Sequence, residues 1–175
     1  MISKLYLQQL ARYNQWVNRK LFAACATLSD AQRKTDQGAF FKSIHGTLNH
    51  LLWGDQIWMH RLIGSPKPHA GTIPESVAQF DDFLALEQER ERFDAVIVAW
   101  ADQVEPAWFD GELTWYSGAA GRELTQKYWL LAVHMFNHQT HHRGQLSTLL
   151  MQNGVNPGDL DLLFLPSLWD GSVAV

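Results

Sequence analysis

Apolar side chains recur along this chain every three to four residues in four long segments, the pattern of amphipathic helices with one buried face. The first predicted helix runs from about Ile2 to Leu28. Leu7, Leu10, Asn14, Val17, Leu21 and Cys25 or Leu28 share one stripe, with Lys4, Arg12 and Arg19 on other faces. Ser29-Asp30 stops it, and a polar connection containing Gly38 follows. The second helix starts at Ser43, a good N-cap, and ends at Gly64, a good C-terminal stop. Its main stripe is Ile44, Leu48, Leu51, Trp58 and Leu62, and His50 lies on an adjacent face with Thr47, Gly54 and Ile57. Residues 64–74, rich in proline and glycine, read as a loop. A third helix is predicted to follow Pro74 and to reach about Val104, on the stripe Phe83, Leu86, Arg90, Phe93, Ile97, Trp100. Its charged block from Glu87 to Arg92 reads as a solvated face carrying local ion pairs.

Between Glu105 and Arg122 the helical period fails. Leu113 to Tyr116 reads as a short strand and Ser117 to Gly121 as a turn, giving a small hairpin closed by Glu123-Leu124 or an irregular insertion. The fourth helix spans about Thr125 to Asn153 and stops at Gly154. The tail from Val155 onward is too apolar to hang free and is expected to fold back on the bundle or onto a second subunit. The prediction is an all-α protein, one four-helix-bundle domain over residues 1–175, with a short hairpin or irregular insertion before the last long helix.

Composition narrows the function classes. The chain has 175 residues, 46% hydrophobic and 18% charged, which is enough to bury a proper core. The formal net charge is −4 and no Lys/Arg cluster stands out, so nucleic acid is disfavoured as a partner. No apolar run reaches the length of a membrane span, and the N-terminal residues lack the apolar core of a secretory signal. A cytoplasmic location is expected. The single Cys25, set among alanines, reads as a packing residue. Most of the eight tryptophans, which run from Trp16 to Trp169, read as core rather than as pocket walls.

The chemistry lies in the histidines. Four of the eight fall between positions 134 and 142 on the fourth helix: His134, His138, His141 and His142. Side chains at i and i+4 sit one above the other, so two imidazoles at that spacing can share a cation. His138/His142 and His134/His138 have that spacing equally, and spacing does not choose between them. A third nitrogen would come from another helix. His50, in mid-helix among leucines and Trp53, is the candidate left after His60 and His69, placed where exposure is expected, are set aside. His45 is about 140° from His50 around the helix and cannot serve the same site.

Three stretches make the chain resemble the DinB/YfiT-like family of metal-binding four-helix bundles. They are Tyr13-Asn14-Gln15-Trp16-Val17-Asn18, Leu48-Asn49-His50-Leu51-Leu52-Trp53-Gly54-Asp55 and Asn137-His138-Gln139-Thr140-His141-His142-Arg143-Gly144-Gln145. The resemblance implies His50, His138 and His142 as the ligands of one divalent transition metal, Zn, Ni, Fe or Mn, with His134 and His141 as additional histidines. Three protein ligands leave a position open for water or substrate, as in catalytic sites. Asn14, Gln145 and Asp55 are polar residues near enough to steady a ligand ring; Asp55 reads better as a solvated carboxylate. Trp53 or Trp58 would wall a pocket beside the ion. Gly144 reads as a close helix contact and Arg143 as a structural ion-pair residue.

The resemblance further implies a metal-dependent enzyme of thiol-dependent transferase or hydrolase type, acting on a small molecule with a low-molecular-weight thiol as partner. It also implies a homodimer. The competing readings are a non-enzymatic metal-binding stress-response protein and an interaction module. No residue stands out as a general base, and the catalytic residues stay unassigned.

Overall fold

The computed structural model of the chain describes residues 2–168; Trp169 lies outside the described residues. Four long helices carry the fold: α1 (Lys4–Ala26), α3 (Ile44–Ile63), α4 (Phe83–Gln103) and α5 (Tyr128–Gln152). A short α2 (Asp30–Lys34) follows α1, and an antiparallel hairpin, β1 (Glu112–Ser117) with β2 (Arg122–Lys127), precedes α5. The sides of the bundle are α1–α4, α4–α3, α3–α5 and α5–α1. The first two long helices therefore face each other across the diagonal.

Local chemistry explains the helix starts. Ser3 caps α1 by accepting from the Tyr6 amide, Ser43 caps α3 through the Gly46 amide, and Asp82 caps α4 through Ala85. At α2, Ser29 and Gln32 form a reciprocal capping box, so the polar connection after α1 holds a helical turn. Gly64, with φ 73°, ends α3 in the left-handed region that glycine enters without steric cost.

Two expected boundaries move. Helix α4 begins at Phe83 rather than after Pro74, because residues 75–78 form a separate 3₁₀ turn and Asp82 supplies the cap. Helix α5 begins at Tyr128 rather than Thr125, because Thr125 to Lys127 continue the β2 ladder opposite Glu112 to Thr114. The hairpin is thus longer than expected.

Leu7, Leu21, Ile44, Leu48, Leu52, Met59, Leu86, Ile97, Met135, Leu146 and Leu150 are all under 2% exposed. Each such side chain contributes about 1.5–3 kcal/mol relative to exposure. The tail returns to the bundle: Tyr13 donates its hydroxyl to the Leu160 carbonyl at 2.7 Å, and Leu165 is buried. Leu163 and Phe164 of the same tail point outward. No helix among the described residues is long and apolar enough to cross a membrane.

Candidate metal centre

Helices α3 and α5 pack side by side, and Gly54 decides how closely. A Cβ there would stand 3.0 Å from Cε1 of His138, so the missing side chain is the space the imidazole occupies. His142 follows one turn later on α5, and His50 one turn earlier on α3. Their ligand atoms lie within 4.8 Å of one another. Nε2 of His138 is 3.4 Å from Nε2 of His50 and 3.1 Å from Nε2 of His142. Nitrogens about 2.0–2.1 Å from a tetrahedral ion stand about 3.3 Å apart, so the spacing suits a first-row divalent cation.

The proton positions point the same way. Ser76 spends its only hydroxyl proton on the Ile73 carbonyl, at 2.6 Å, so its oxygen accepts from Nδ1–H of His50 at 2.8 Å. The amide oxygen of Gln145 accepts from Nδ1–H of His142 at 2.8 Å, while its NH₂ faces Nε2 of His141. Both outer rings therefore present a bare Nε2 lone pair toward His138. His138 has one Nε2 and can donate to one neighbour at most, so at least one pair meets lone pair to lone pair. A cation between them resolves that conflict, and the three residues fit one.

Burial keeps the rings neutral. His50 is pushed down to about 3 by desolvation and then by the neighbouring imidazoles His138 and His142. His138 is likewise held at about 3, by burial and then chiefly by His142. His142 is lowered by burial and partly restored by its bond to Gln145. Neutral imidazole is the form that ligates metal.

Phe41 closes the floor of the site. Its ring stacks on His50 with centroids 3.7 Å apart and meets His142 edge-on at 5.1 Å. It is held there by a tight turn over residues 39–42, in which Lys42 adopts φ 66°, unusual for a residue with a side chain. Trp53 packs beside His50 at 5.6 Å and donates its indole N–H to the Ala70 carbonyl. Above the histidines opens a cavity of about 1080 Å³, walled by Trp53, Trp58, Ile57, Trp115 and Leu131.

The remaining histidines are elsewhere. His134 packs edge-on against Trp58, His45 bonds the Phe80 carbonyl, and the half-buried His60 bonds the Ser65 carbonyl. His134 and His141 reach the cavity rim but are not in the three-nitrogen group. Among the tryptophans, Trp100 lies in the core and Trp16, Trp108 and Trp129 pack against it, whereas Trp53, Trp58 and Trp115 line the cavity.

Behind the histidines lies a buried polar network that corrects several expectations. Asp55 is not solvated: it is 1% exposed and accepts from Arg90 at 2.6 Å and Gln139 at 2.6 Å. Arg90, expected within a solvated charged block, is buried and also pairs with Asp94 at 2.8 Å. Asn14 does not steady a ligand ring; it donates to Asp94 and accepts from Arg143 at 2.7 Å. Arg143 makes that hydrogen bond rather than an ion pair. The network joins α1, α3, α4 and α5, with two carboxylates matching two guanidinium groups, as burial of charge requires. Gly144 is not a close contact, since a Cβ there meets open space; the close approach on this helix pair is at Gly54. Cys25 is buried and its thiol is pushed up to about 12, chiefly by burial, so it is no nucleophile at neutral pH.

Ser76 and Phe41 are contributors that sequence reasoning missed. Ser76 sits in the 3₁₀ turn that was expected to begin a helix, and nothing local announces a bond to residue 50. Phe41, an apolar residue just before the Ser43 cap, offered a weak signal of a side chain turned inward.

A model of the DinB family matches residues 1–169, and the chain belongs to that family. No curated protein matches it.

Proposed function

We propose that this DinB-family protein is a metal-dependent enzyme acting on a small molecule, either a transferase with a low-molecular-weight thiol as nucleophile or a hydrolase with water as nucleophile. His50, His138 and His142 would hold one divalent transition ion through Nε2. The observation that carries the reading is the convergence of these nitrogens on the floor of a wide, aromatic-walled cavity, rather than in a sealed interior. Such an ion acidifies a bound thiol or water and polarises a carbonyl.

The chain's own residues do the rest. Ser76 and Gln145 hold the His50 and His142 rings in the ligating tautomer. Phe41 and Trp53 keep water from the buried side of the rings, and the cavity leaves the other side open to a substrate. No Asp or Glu is among the described residues lining the cavity, which accords with a nucleophile acidified by the ion rather than by a protein base. The reading includes a cytoplasmic, homodimeric protein, the dimer formed across the exposed Phe164; sedimentation analysis of wild type and of a Phe164→Asp variant tests that contact.

Elemental analysis of protein purified without an affinity tag, for wild type, His50→Ala and His138→Ala, tests the centre. About one equivalent in wild type, lost in both variants, supports the three-ligand site and is followed by a thiol-substrate screen with that metal. Metal retained by His50→Ala breaks the assignment and points to His134 or His141. No metal after reconstitution overturns the enzyme in favour of an interaction module, and one equivalent with no turnover of any thiol or hydrolase substrate favours a non-enzymatic metal-binding protein.

A further inference from the structure

The cavity has two distinct ends. At the floor are the three histidines; further along α3, near its C-terminal end, Arg61 lines the same space. Arg61 is the only permanently charged side chain among the described residues that line it. Its guanidinium lies over the Trp58 ring at 4.8 Å and near Trp115 at 5.9 Å. Those two indoles pack edge to face at 5.7 Å. Among the described residues no carboxylate or hydrogen-bond acceptor pairs with it. Partial burial lowers the Arg61 pKa, as expected of a cation half withdrawn from water without a counter-ion. The neighbouring His134 has its pKa lowered by burial and then by the Arg61 charge, and an imidazole carries no negative charge to compensate it.

A guanidinium resting over an aromatic ring keeps N–H groups along its edge free, and that edge matches an oxyanion. The walls between the two ends are apolar and aromatic. Along the helix axis His50 and Arg61 are separated by about 16 Å, too far for acetate-sized molecules to bridge. Arg61 also stands in the last turn of α3, where free carbonyls carry partial negative charge. One cation in that field balances a monoanion better than a dianionic phosphate.

We propose that Arg61 is the anion anchor of the substrate site: the cavity takes an amphipathic carboxylic acid, its carboxylate on Arg61, its apolar body against the wall that Trp58 and Trp115 form, and its reacting end over the three histidines. This rests on the metal-enzyme reading for the reacting end, while the anion site itself needs only Arg61 and the indoles.

The test is calorimetric binding of 4-phenylbutyrate, its neutral amide 4-phenylbutyramide, and phenyl phosphate to wild type, Arg61→Met and Arg61→Lys. Each protein is used zinc-loaded and chelator-treated, with folding checked by circular dichroism. Wild type is expected to prefer the acid to the amide at least tenfold in both states. Arg61→Met should erase that preference, weakening the acid far more than the amide, and Arg61→Lys should restore part of it. Equal affinity of acid and amide in wild type overturns the proposal without reference to any variant. So does a preference that survives in Arg61→Met, one that vanishes with the zinc, or tighter binding of phenyl phosphate than of the acid. An Arg61-dependent preference in a protein that takes up no zinc would uphold the anion site while the metal reading fails.

Discussion

Replacing Ser76 by alanine isolates the contribution of one hydroxyl to the metal centre. Ser76 is 0% exposed, and its oxygen is the acceptor that holds the His50 proton on Nδ1. Without it the buried Nδ1–H has no partner and no water to replace one, a cost of about 1–3 kcal/mol. The ring can escape that cost by carrying the proton on Nε2, but it then ceases to be a ligand. Either way zinc affinity should fall about 10–100-fold, the usual effect of removing a partner that orients a ligand. Gln145→Ala makes the matched comparison. Gln145 is half-exposed, water replaces its amide oxygen, and the loss should stay below about tenfold. Competition titration with a chromophoric chelator at neutral pH measures both, and urea unfolding of the chelator-treated proteins separates affinity from stability. A Ser76→Ala protein that binds zinc as tightly as wild type, or a Gln145→Ala protein that binds it more weakly than Ser76→Ala, would refute the reasoning.

Asp55→Asn leaves Arg90 without half of its buried charge compensation and should destabilise the fold by about 3–5 kcal/mol, a fall of roughly 10 °C in Tm for a chain of this size. Metal stoichiometry should stay unchanged, and a Tm within a degree or two of wild type would show that the pair contributes nothing net. Because His50 and His138 are depressed to about 3 in the fold but titrate near 6.5 when unfolded, the stability of the chelator-treated protein should be full above about pH 6.5 and decline as pH falls toward 3. Between about pH 6.5 and 5, before most carboxylates titrate, His138→Ala should show a shallower slope of Tm against pH than wild type; equal slopes would contradict the shifts. Gly54→Ala forces a Cβ to 3.0 Å from the His138 ring and should weaken zinc binding, whereas Gly144→Ala meets open space and should raise stability by about 0.4–1 kcal/mol. Urea titrations and zinc competition on the two variants check both signs, and a weakened site in Gly144→Ala would reverse the assignment of the close contact.

The four helices were legible because each is long and strongly periodic, and their caps are local chemistry: Ser43 and Gly64 bound α3 where the sequence places them. The start of α4 was not, since Pro74 is a good helix starter in isolation and only the packing of the 75–78 turn against α3 leaves Asp82 as the cap. The histidine spacing on α5 announced a possible cation site, yet two pairs were equally good. The resemblance selected His138 with His142, and the geometry brings those two to His50.

What the sequence determined by itself is whatever depends on neighbours within a turn or two: helix existence, capping, the i, i+4 histidines and the buried character of Cys25. What only the tertiary structure decided is which polar groups meet across helices. Asp55 looks solvated beside its own neighbours and is buried because Arg90 and Gln139 arrive from α4 and α5. Ser76 acts on His50 and Phe41 lies beneath it for the same reason, and Arg61 is left facing a cavity because no acidic side chain among the described residues arrives to meet it. The burial of a charge or a hydrogen-bonding group is a property of the assembled surface around it. No local pattern encodes that surface until the helices have chosen their neighbours.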